Sequence, residues 1–98
     1  MLDEIYATKI PNTATQRADV SGIVSRYLPI GTSRSKTQEI LNGLGEGTIE
    51  ESASQIVYTT RQGEGFKGNR REVVVKIQFD TNNNIQSFTS HIDKSNNL

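Results

Sequence analysis

The spacing of apolar residues divides the chain into a helical half and a strand half. In the first half, apolar residues recur every three or four positions, which places them along one stripe of a helix. The residues of this stripe are Val20, Ile23, Val24, Tyr27 and Leu28. Asn12 or Thr13 can cap the N-terminus, and Pro29 ends the helix because the residue before proline disfavours helical backbone. The pattern therefore predicts a first helix from Thr13 to Leu28.

A second helix is predicted to begin after Ser33, which is a good N-cap residue. Its buried stripe is expected to contain Thr37, Ile40, Leu41 and Leu44, and three glycines follow it at Gly43, Gly45 and Gly47. Only Ile30–Thr32 separates the two helices, which favours a helical hairpin or corner. Residues 1–12 have no clear period, so we expect an extended or mobile lead-in there.

From Ser52 onward the period changes to two, which is typical of strands. Ile56 and Tyr58 alternate with their neighbours, and the run Val73–Phe79 is the clearest strand in the chain. A polar turn at Asp80–Asn84 precedes a third strand, from Ile85 to about residue 92. Ile85 and Phe88 differ in parity, so this last strand is expected to contain a bulge.

The order of these elements is helix, helix, strand, strand, strand, which indicates an α+β fold. We predict two N-terminal helices packed on one face of a three-stranded antiparallel β meander (ααβββ). Residues 1–98 would form one domain, with residues 1–12 and 94–98 flexible. The opposite face of the sheet would carry Val57, Val74, Lys76 and Gln78, which suit a partly wet surface.

The composition restricts the function classes. The chain has 11 basic and 11 acidic residues, a balance that argues against non-specific binding to nucleic acid. It contains no cysteine, which excludes disulfides and thiolate metal sites within these residues. Its first residues lack the basic start and apolar core of a signal peptide, and no apolar run approaches the roughly 18 residues of a membrane span.

Three stretches imitate motifs of catalytic or metal-binding proteins, and each is incomplete. Gly63, Gly65 and Gly68 spell G-x-G-x-x-G, but a strand follows where a dinucleotide site needs a helix. The kinase version of such a loop requires an H-R-D and a D-F-G segment, and neither follows. In the stretch Gly31–Thr37, Ser35 and the preceding Ile30 stand where a phosphate-binding loop needs its two glycines. Asp80–His91 lacks the Gly and Glu of a calcium loop. We therefore predict no enzyme activity, no cofactor and no metal, with His91 a surface histidine.

The glycine-rich loop is surrounded by basic side chains and one aromatic ring. Arginine and aromatic residues dominate binding hot spots, so this hairpin is a candidate site for a protein partner. The candidate residues are Arg61, Phe66, Lys67, Arg70, Arg71 and, on the following strand, Lys76. The alternative is a flexible tip that only increases solubility.

The segment YLPIGTSRSKTQEILNGLG and the hairpin IQFDTNNNIQSF resemble the small ααβββ domains of bacterial envelope lipoproteins. The type is BamE (SmpA/OmlA), and the β-lactamase inhibitor protein BLIP has a related repeat. The matching positions are Gly31, Ser33, Leu44-Gly45 and Phe79-Asp80, within about residues 19–90. The chain departs from the pattern where the family usually has a proline soon after Leu-Gly, and it lacks the lipoprotein cysteine.

This resemblance implies a non-catalytic protein-binding module, periplasmic or associated with the outer membrane, or alternatively secreted. A lipid anchor outside these residues would tether it to the membrane. We expect it to bind another protein, and no nucleic acid, through the open sheet face and the 61–71 hairpin. An inhibitor of a hydrolase, such as a β-lactamase or a lysozyme, is the alternative function, and a small enzyme or ligand carrier is a third hypothesis.

Overall fold

The computed structural model describes residues 1–10, 17–62 and 70–95. Within these ranges the chain forms three helices and five strands. The helices are α1 (Leu2–Tyr6), α2 (Ser21–Tyr27) and α3 (Arg34–Asn42). The strands are β1 (Arg17–Asp19), β2 (Thr48–Glu51), β3 (Gln55–Gln62), β4 (Arg70–Phe79) and β5 (Ile85–Ser95).

The strands form one antiparallel sheet in the order β1-β5-β4-β3-β2. The prediction of a three-stranded meander with two packed helices is therefore wrong. The three predicted strands are the three central ones, and an additional strand lies on each side of them. The sequence pattern missed β1 and β2 because both are edge strands of three or four residues with mostly exposed side chains. Such short strands have too few positions to establish a period of two.

The predicted first helix is shorter than its apolar spacing suggests. Residues 11–16 lie outside the described ranges, Arg17–Asp19 is a strand, and the helix occupies only Ser21–Tyr27. Val20, which begins the apolar stripe, is the residue that links the strand to the helix. Val20, Val24 and Leu28 are all buried, so the stripe identified the buried face although residues 17–20 of the predicted helix are not helical.

The N-terminal residues were predicted to be an extended or mobile lead-in, and part of that segment is a helix. Leu2 and Ile5 of α1 are buried in the core. Glu4 on the same helix contacts the guanidinium of Arg26 and the hydroxyl of Tyr27 on α2. One turn of helix with two apolar residues is too short to give a sequence signal, and packing against the rest of the core stabilises it instead.

The prediction for the second helix is confirmed. The Ser33 hydroxyl accepts a hydrogen bond from the backbone N–H of Lys36 at 3.2 Å, as an N-cap does. Thr37 and Leu41 on this helix are buried. Beyond the helix, Gly45 and Gly47 have φ of 77° and 97°, which turns the chain into β2.

The core lies between the three helices and one face of the sheet. Its buried apolar residues form a single cluster: Leu2, Ile5, Val20, Val24, Leu28, Leu41, Ile56, Tyr58, Val73, Val75, Ile77, Phe79, Ile85 and Ile92. The predicted bulge is confirmed, because Gln78 pairs with Ser87 whereas Phe79 pairs with Ile85. This extra residue returns Ile85 to the buried side despite its odd parity.

Candidate functional site

The face of the sheet opposite the core forms the candidate site, and we call it the open face. The strand register brings together the predicted residues Val57, Val74, Lys76 and Gln78, because Val57 lies opposite Lys76 and Thr59 lies opposite Val74. The side chains of the open face are Arg17, Asp19, Thr48, Glu50, Gln55, Val57, Thr59, Arg61, Glu72, Val74, Lys76, Gln78, Ser87, Thr89, His91 and Asp93. The apolar residues of α1–α3 pack into the core on the other face.

A row of four charged side chains crosses the open face at its hairpin end. Arg17 on β1 lies opposite Asp93 on β5, Asp93 opposite Glu72 on β4, and Glu72 opposite Arg61 on β3. The Arg17 Nε is 2.6 Å from Asp93 Oδ1, and the Arg61 Nε is 2.7 Å from Glu72 Oε2. The order of charges is thus positive, negative, negative, positive, with each acid satisfied by the arginine on its outer side.

Next to this row, His91 and Asp19 lie opposite each other on β5 and β1. The His91 Nε2 is 3.3 Å from Asp93 Oδ2, which is a salt bridge when the imidazole is protonated. Hydrogen bonds from the hydroxyl and the backbone N–H of Ser21 lower the pKa of Asp19, and the N–H contact is 2.7 Å long. Asp19 therefore connects β1 to the start of α2 in addition to its place on the open face.

The centre of the open face carries little charge. Val57 and Val74 are half-buried there, and Thr59 and Thr89 flank them. Lys76 is exposed at this centre, and none of the salt bridges among the described residues involves it. A centre of valines, threonines and one lysine is thus bordered by the charged row on one side and by Asp19 and Glu50 at the two sheet edges.

The structure separates the six candidate partner-binding residues. Arg61 and Lys76 lie on the open face, with Arg61 paired to Glu72. Arg71 points to the opposite side, where its Nη1 donates a hydrogen bond to the backbone oxygen of Tyr6 at 2.6 Å. Phe66 and Lys67 lie outside the described residues, as does the side chain of Arg70; its backbone begins β4.

Arg71 therefore connects α1 to the sheet. This contact gives it a structural role, whether or not it also meets a partner. The strands on either side of the glycine-rich loop do pair as a hairpin, as far as Gln62 opposite Arg71. The glycines Gly63, Gly65 and Gly68 themselves lie outside the described ranges.

The hydroxyls of Tyr6, Tyr58 and Thr60 lie close together on the core side of the sheet, near the start of β2. Burial raises the pKa of both Tyr6 and Tyr58, and the nearby Thr60 hydroxyl opposes that shift. The Tyr58 hydroxyl donates a hydrogen bond to the backbone oxygen of Glu46 at 2.8 Å, which fixes the chain before β2. The Tyr6 hydroxyl is buried, and no hydrogen bond of normal geometry to it is found among the described residues.

An open depression lies next to these hydroxyls, where the chain before β2 separates from residues 59–61 of β3. It is lined by Glu46, Gly47, Thr48, Glu50, Thr59, Thr60 and Arg61. Two carboxylates and three threonine hydroxyls make the depression polar and mainly acidic, because its one arginine is already paired with Glu72. This depression was not predicted from the sequence, where its only signal is the acidic pair Glu50 and Glu51 between Gly47 and Ile56.

The remaining chemistry of the described ranges is limited. No group of three or more His, Asp or Glu residues there is arranged to hold a metal ion. No described helix is long and apolar enough to cross a membrane. The absence of catalysis, cofactor and metal therefore stays a prediction.

Comparison with known proteins does not identify a family: no family model, no curated protein and no solved structure matches this chain. The resemblance to small envelope lipoprotein domains accordingly stays a prediction from the sequence.

Proposed function

We propose that this domain is a non-catalytic module that binds another protein through the open face. The observation that carries the proposal is the distribution of charge on that face. Its centre is formed by Val57, Val74, two threonines and a single charged residue, Lys76, whereas ion pairs and single carboxylates lie around it. Protein interfaces have this organisation, with charge depleted at the centre and a polar rim.

Lys76 is the residue of the centre through which the proposal is best tested. It is exposed on the central strand β4, between Val57 on β3 and Thr89 on β5. The stem of a lysine can pack against neighbouring apolar atoms while its ammonium contacts an acceptor on a partner. A reversed charge at this position places an unfavourable group at the middle of the proposed interface, with little effect on the fold because the side chain is solvent-exposed.

The test compares Lys76→Glu with Lys36→Glu. Lys36 is exposed in the first turn of α3, away from the open face, and its replacement makes the same change in net charge. The wild-type domain is first used to capture and identify a protein from bacterial envelope extract, and the affinities of the purified variants for that protein are then measured. We expect Lys76→Glu to weaken binding by about tenfold or more, while Lys36→Glu leaves it unchanged. Equal affinities for both variants would contradict the use of the open face.

The contribution of the hairpin is a separate part of the proposal. Replacing Phe66 and Arg70 by alanine tests the hairpin without removing the contact between Arg71 and α1. If this double variant no longer binds the captured protein, the hairpin is part of the interface. Retention of the same partner at the same affinity would restrict the interface to the open face.

The envelope location also belongs to the proposal, and it is supported by the sequence resemblance alone. The inhibitor alternative makes a different prediction for the same purified domain. A panel of β-lactamase and lysozyme assays distinguishes the two, because a module that only binds leaves their rates unchanged. Inhibition that is lost in the Phe66 and Arg70 double variant would favour the inhibitor function instead.

A further inference from the structure

The strand β2 forms one edge of the sheet, and no strand within residues 1–10, 17–62 and 70–95 lies on its outer side. We call this side, formed by Thr48–Glu51, the β2 edge. An edge strand presents backbone N–H and C=O groups that another chain can pair with. The backbone groups of the β2 edge point sideways from the sheet, whereas the side chains of Thr48 and Glu50 also border the open face.

The register shows which backbone groups are directed outward. The N–H of Ser52 donates to the oxygen of Gln55 at 2.9 Å, which makes these two residues a hydrogen-bonded pair at the end of the hairpin. Hydrogen-bonded and non-hydrogen-bonded pairs alternate along an antiparallel ladder. Glu50 and Thr48 therefore bond to β3, whereas Ile49 and Glu51 direct their N–H and C=O groups away from the sheet. None of the turn, loop or cap backbone bonds among the described residues involves these two outward positions.

The edge continues into the depression beside β3. The pairing of β2 with β3 stops at Thr48 opposite Thr59, because the chain turns away at Gly47 with a φ of 97°. A side chain at Gly47 would meet the ring of Tyr58, since its Cβ would lie 2.6 Å from the Tyr58 Cε1. Gly47 therefore packs directly against Tyr58, whose hydroxyl also bonds to the backbone of Glu46, and these contacts position the chain that lines the depression.

The charge of the β2 edge limits what can pair with it. The segment from residue 46 to residue 51 contains Glu46, Glu50 and Glu51 and no basic residue. Glu51 is already engaged by Gln38 and Arg34, whereas Glu46 and Glu50 both line the depression and form no salt bridge with a described residue. A second copy of this strand would bring glutamates together, and like charges across a strand pair are destabilising.

We propose that the β2 edge binds an extended basic segment of a partner protein by strand addition. The backbone of that segment pairs with Ile49 and Glu51, and one lysine or arginine side chain enters the depression between Glu46 and Glu50. Main-chain hydrogen bonds supply the affinity in this mode, and the side-chain position supplies the preference for a basic residue. This inference does not depend on the proposed use of the open face, because the backbone groups of Ile49 and Glu51 point sideways from the sheet, although the Glu50 side chain lies at the border of the open face.

The probe for this proposal is a synthetic peptide of about eight residues, alternating lysine with threonine, with both ends blocked. Its affinity is measured by titration calorimetry at low ionic strength, and amide hydrogen exchange is followed in the complex. We expect binding and slower exchange of the amides of Ile49 and Glu51. An acidic peptide alternating glutamate with threonine is expected not to bind.

Two controls separate strand pairing from simple attraction of opposite charges. The first is the same lysine peptide with prolines replacing the threonines, which keeps the charge but cannot form a strand ladder. The second is a pair of variants with equal charge change, Glu50→Lys at the edge and Glu39→Lys on the exposed face of α3. We expect Glu50→Lys to weaken binding of the lysine peptide by about tenfold, and Glu39→Lys to change it little.

Equal binding of the proline peptide, equal loss in both variants, or protection that appears on the open face instead would each overturn the proposal. So would the absence of binding by the lysine peptide at low ionic strength. Each of these results leaves the test of Lys76 on the open face unaffected, so failure of one proposal does not imply failure of the other.

Discussion

The two edges of the sheet are both short strands, yet they are protected in different ways. On the β1 side, Val20 continues the backbone pairing by donating its N–H to Ser90 at 3.2 Å, and the chain then turns directly into α2. On the β2 side, the strand pairs with β3 along its length, and Arg34 at the hairpin and Tyr58 at Glu46 hold its two ends. The start of α2 ends the β1 edge after Asp19, whereas the β2 edge relies on its glutamates to discourage pairing with the wrong partner.

Each edge also depends on one arginine, and the surroundings of these arginines differ. The Arg17 side chain is 56% exposed, and its one ion pair with a described residue is the pair with Asp93. The Arg34 side chain is 19% exposed, donates to the backbone oxygens of Ser52 and Ala53, and stacks over the ring of Phe79 at 5.1 Å. An exposed ion pair contributes little stability, whereas a part-buried arginine with several acceptors contributes more.

Among variants at the two edges, we expect Gly47→Ala, next to the start of β2, to cause the largest loss in the free energy of unfolding. Alanine would be strained at a φ of 97°, and its Cβ would also overlap the ring of Tyr58. We expect a loss of about 3 kcal/mol in the free energy of unfolding, measured by urea denaturation. Gly45→Ala is the matched control, because that position has a φ of 77° but open space around it. Backbone strain alone should cost about 1 kcal/mol there, and equal losses in both variants would show that contact with Tyr58 is unimportant.

Arg34→Ala is expected to have the next largest effect. It removes hydrogen bonds to the oxygens of Ser52 and Ala53, the pair with Glu51 and the contact with Phe79, so we expect a loss of about 2 kcal/mol. Arg34→Lys keeps the charge but not the planar group with several donors, and should recover only part of this stability. A loss below about 0.5 kcal/mol in the alanine variant would contradict the role of Arg34 in holding β2.

Arg17→Ala tests the other edge and should have a smaller effect. Its pair with Asp93 is exposed, so we expect a loss of about 0.5 kcal/mol in the free energy of unfolding. A double-mutant cycle with Asp93→Asn isolates the pair from the contact between Asp93 and His91. A coupling energy as large as the loss in Arg34→Ala would remove the proposed difference between the two edges.

Features that depend on residues close together in the chain could be predicted from the sequence, whereas features that depend on distant segments could not. The cap at Ser33, the long strand β4 and the bulge near Ile85 were predictable because each depends on residues close together in the chain. The strand at Arg17–Asp19 was not, because it exists only where β5 offers a pairing edge at 91–93. The helical spacing of Val20, Val24 and Leu28 was real, but it could not show that the helix begins only at Ser21.

The candidate site was predictable to a similar degree. The alternation of side chains along β3 directs Val57 to the face opposite that of Ile56. This pattern was enough to identify the centre of the open face. The charged row needed the register of four strands, because Arg17 and Asp93 are 76 positions apart. The direction of Arg71 also depended on packing, since its acceptor is a backbone oxygen of α1, a helix that gave no sequence signal.

The smallest expected effect is a loss of stability at the two sheet edges as the pH falls. Both edges carry a carboxyl group whose pKa is lowered, Asp19 by the hydroxyl and N–H of Ser21 and Glu51 by Gln38 and then Arg34. A lowered pKa in the folded state means that the stabilisation is fully present above the ordinary values of 3.8 and 4.5 for these two groups, and is lost as the pH falls through the lower folded values. Urea unfolding should therefore show falling stability from about pH 5 downward, and Asp19→Asn and Glu51→Gln should each remove part of that slope.

Amide exchange in the acidic range then distinguishes the edges: Asp19→Asn should affect the pairing of β1 with β5, and Glu51→Gln the hairpin of β2. Since α2 directly continues β1, whereas β2 lies between two turns, we expect the amides of the β2 hairpin to lose protection at the higher pH. The reverse order would contradict the proposed difference between the two edges.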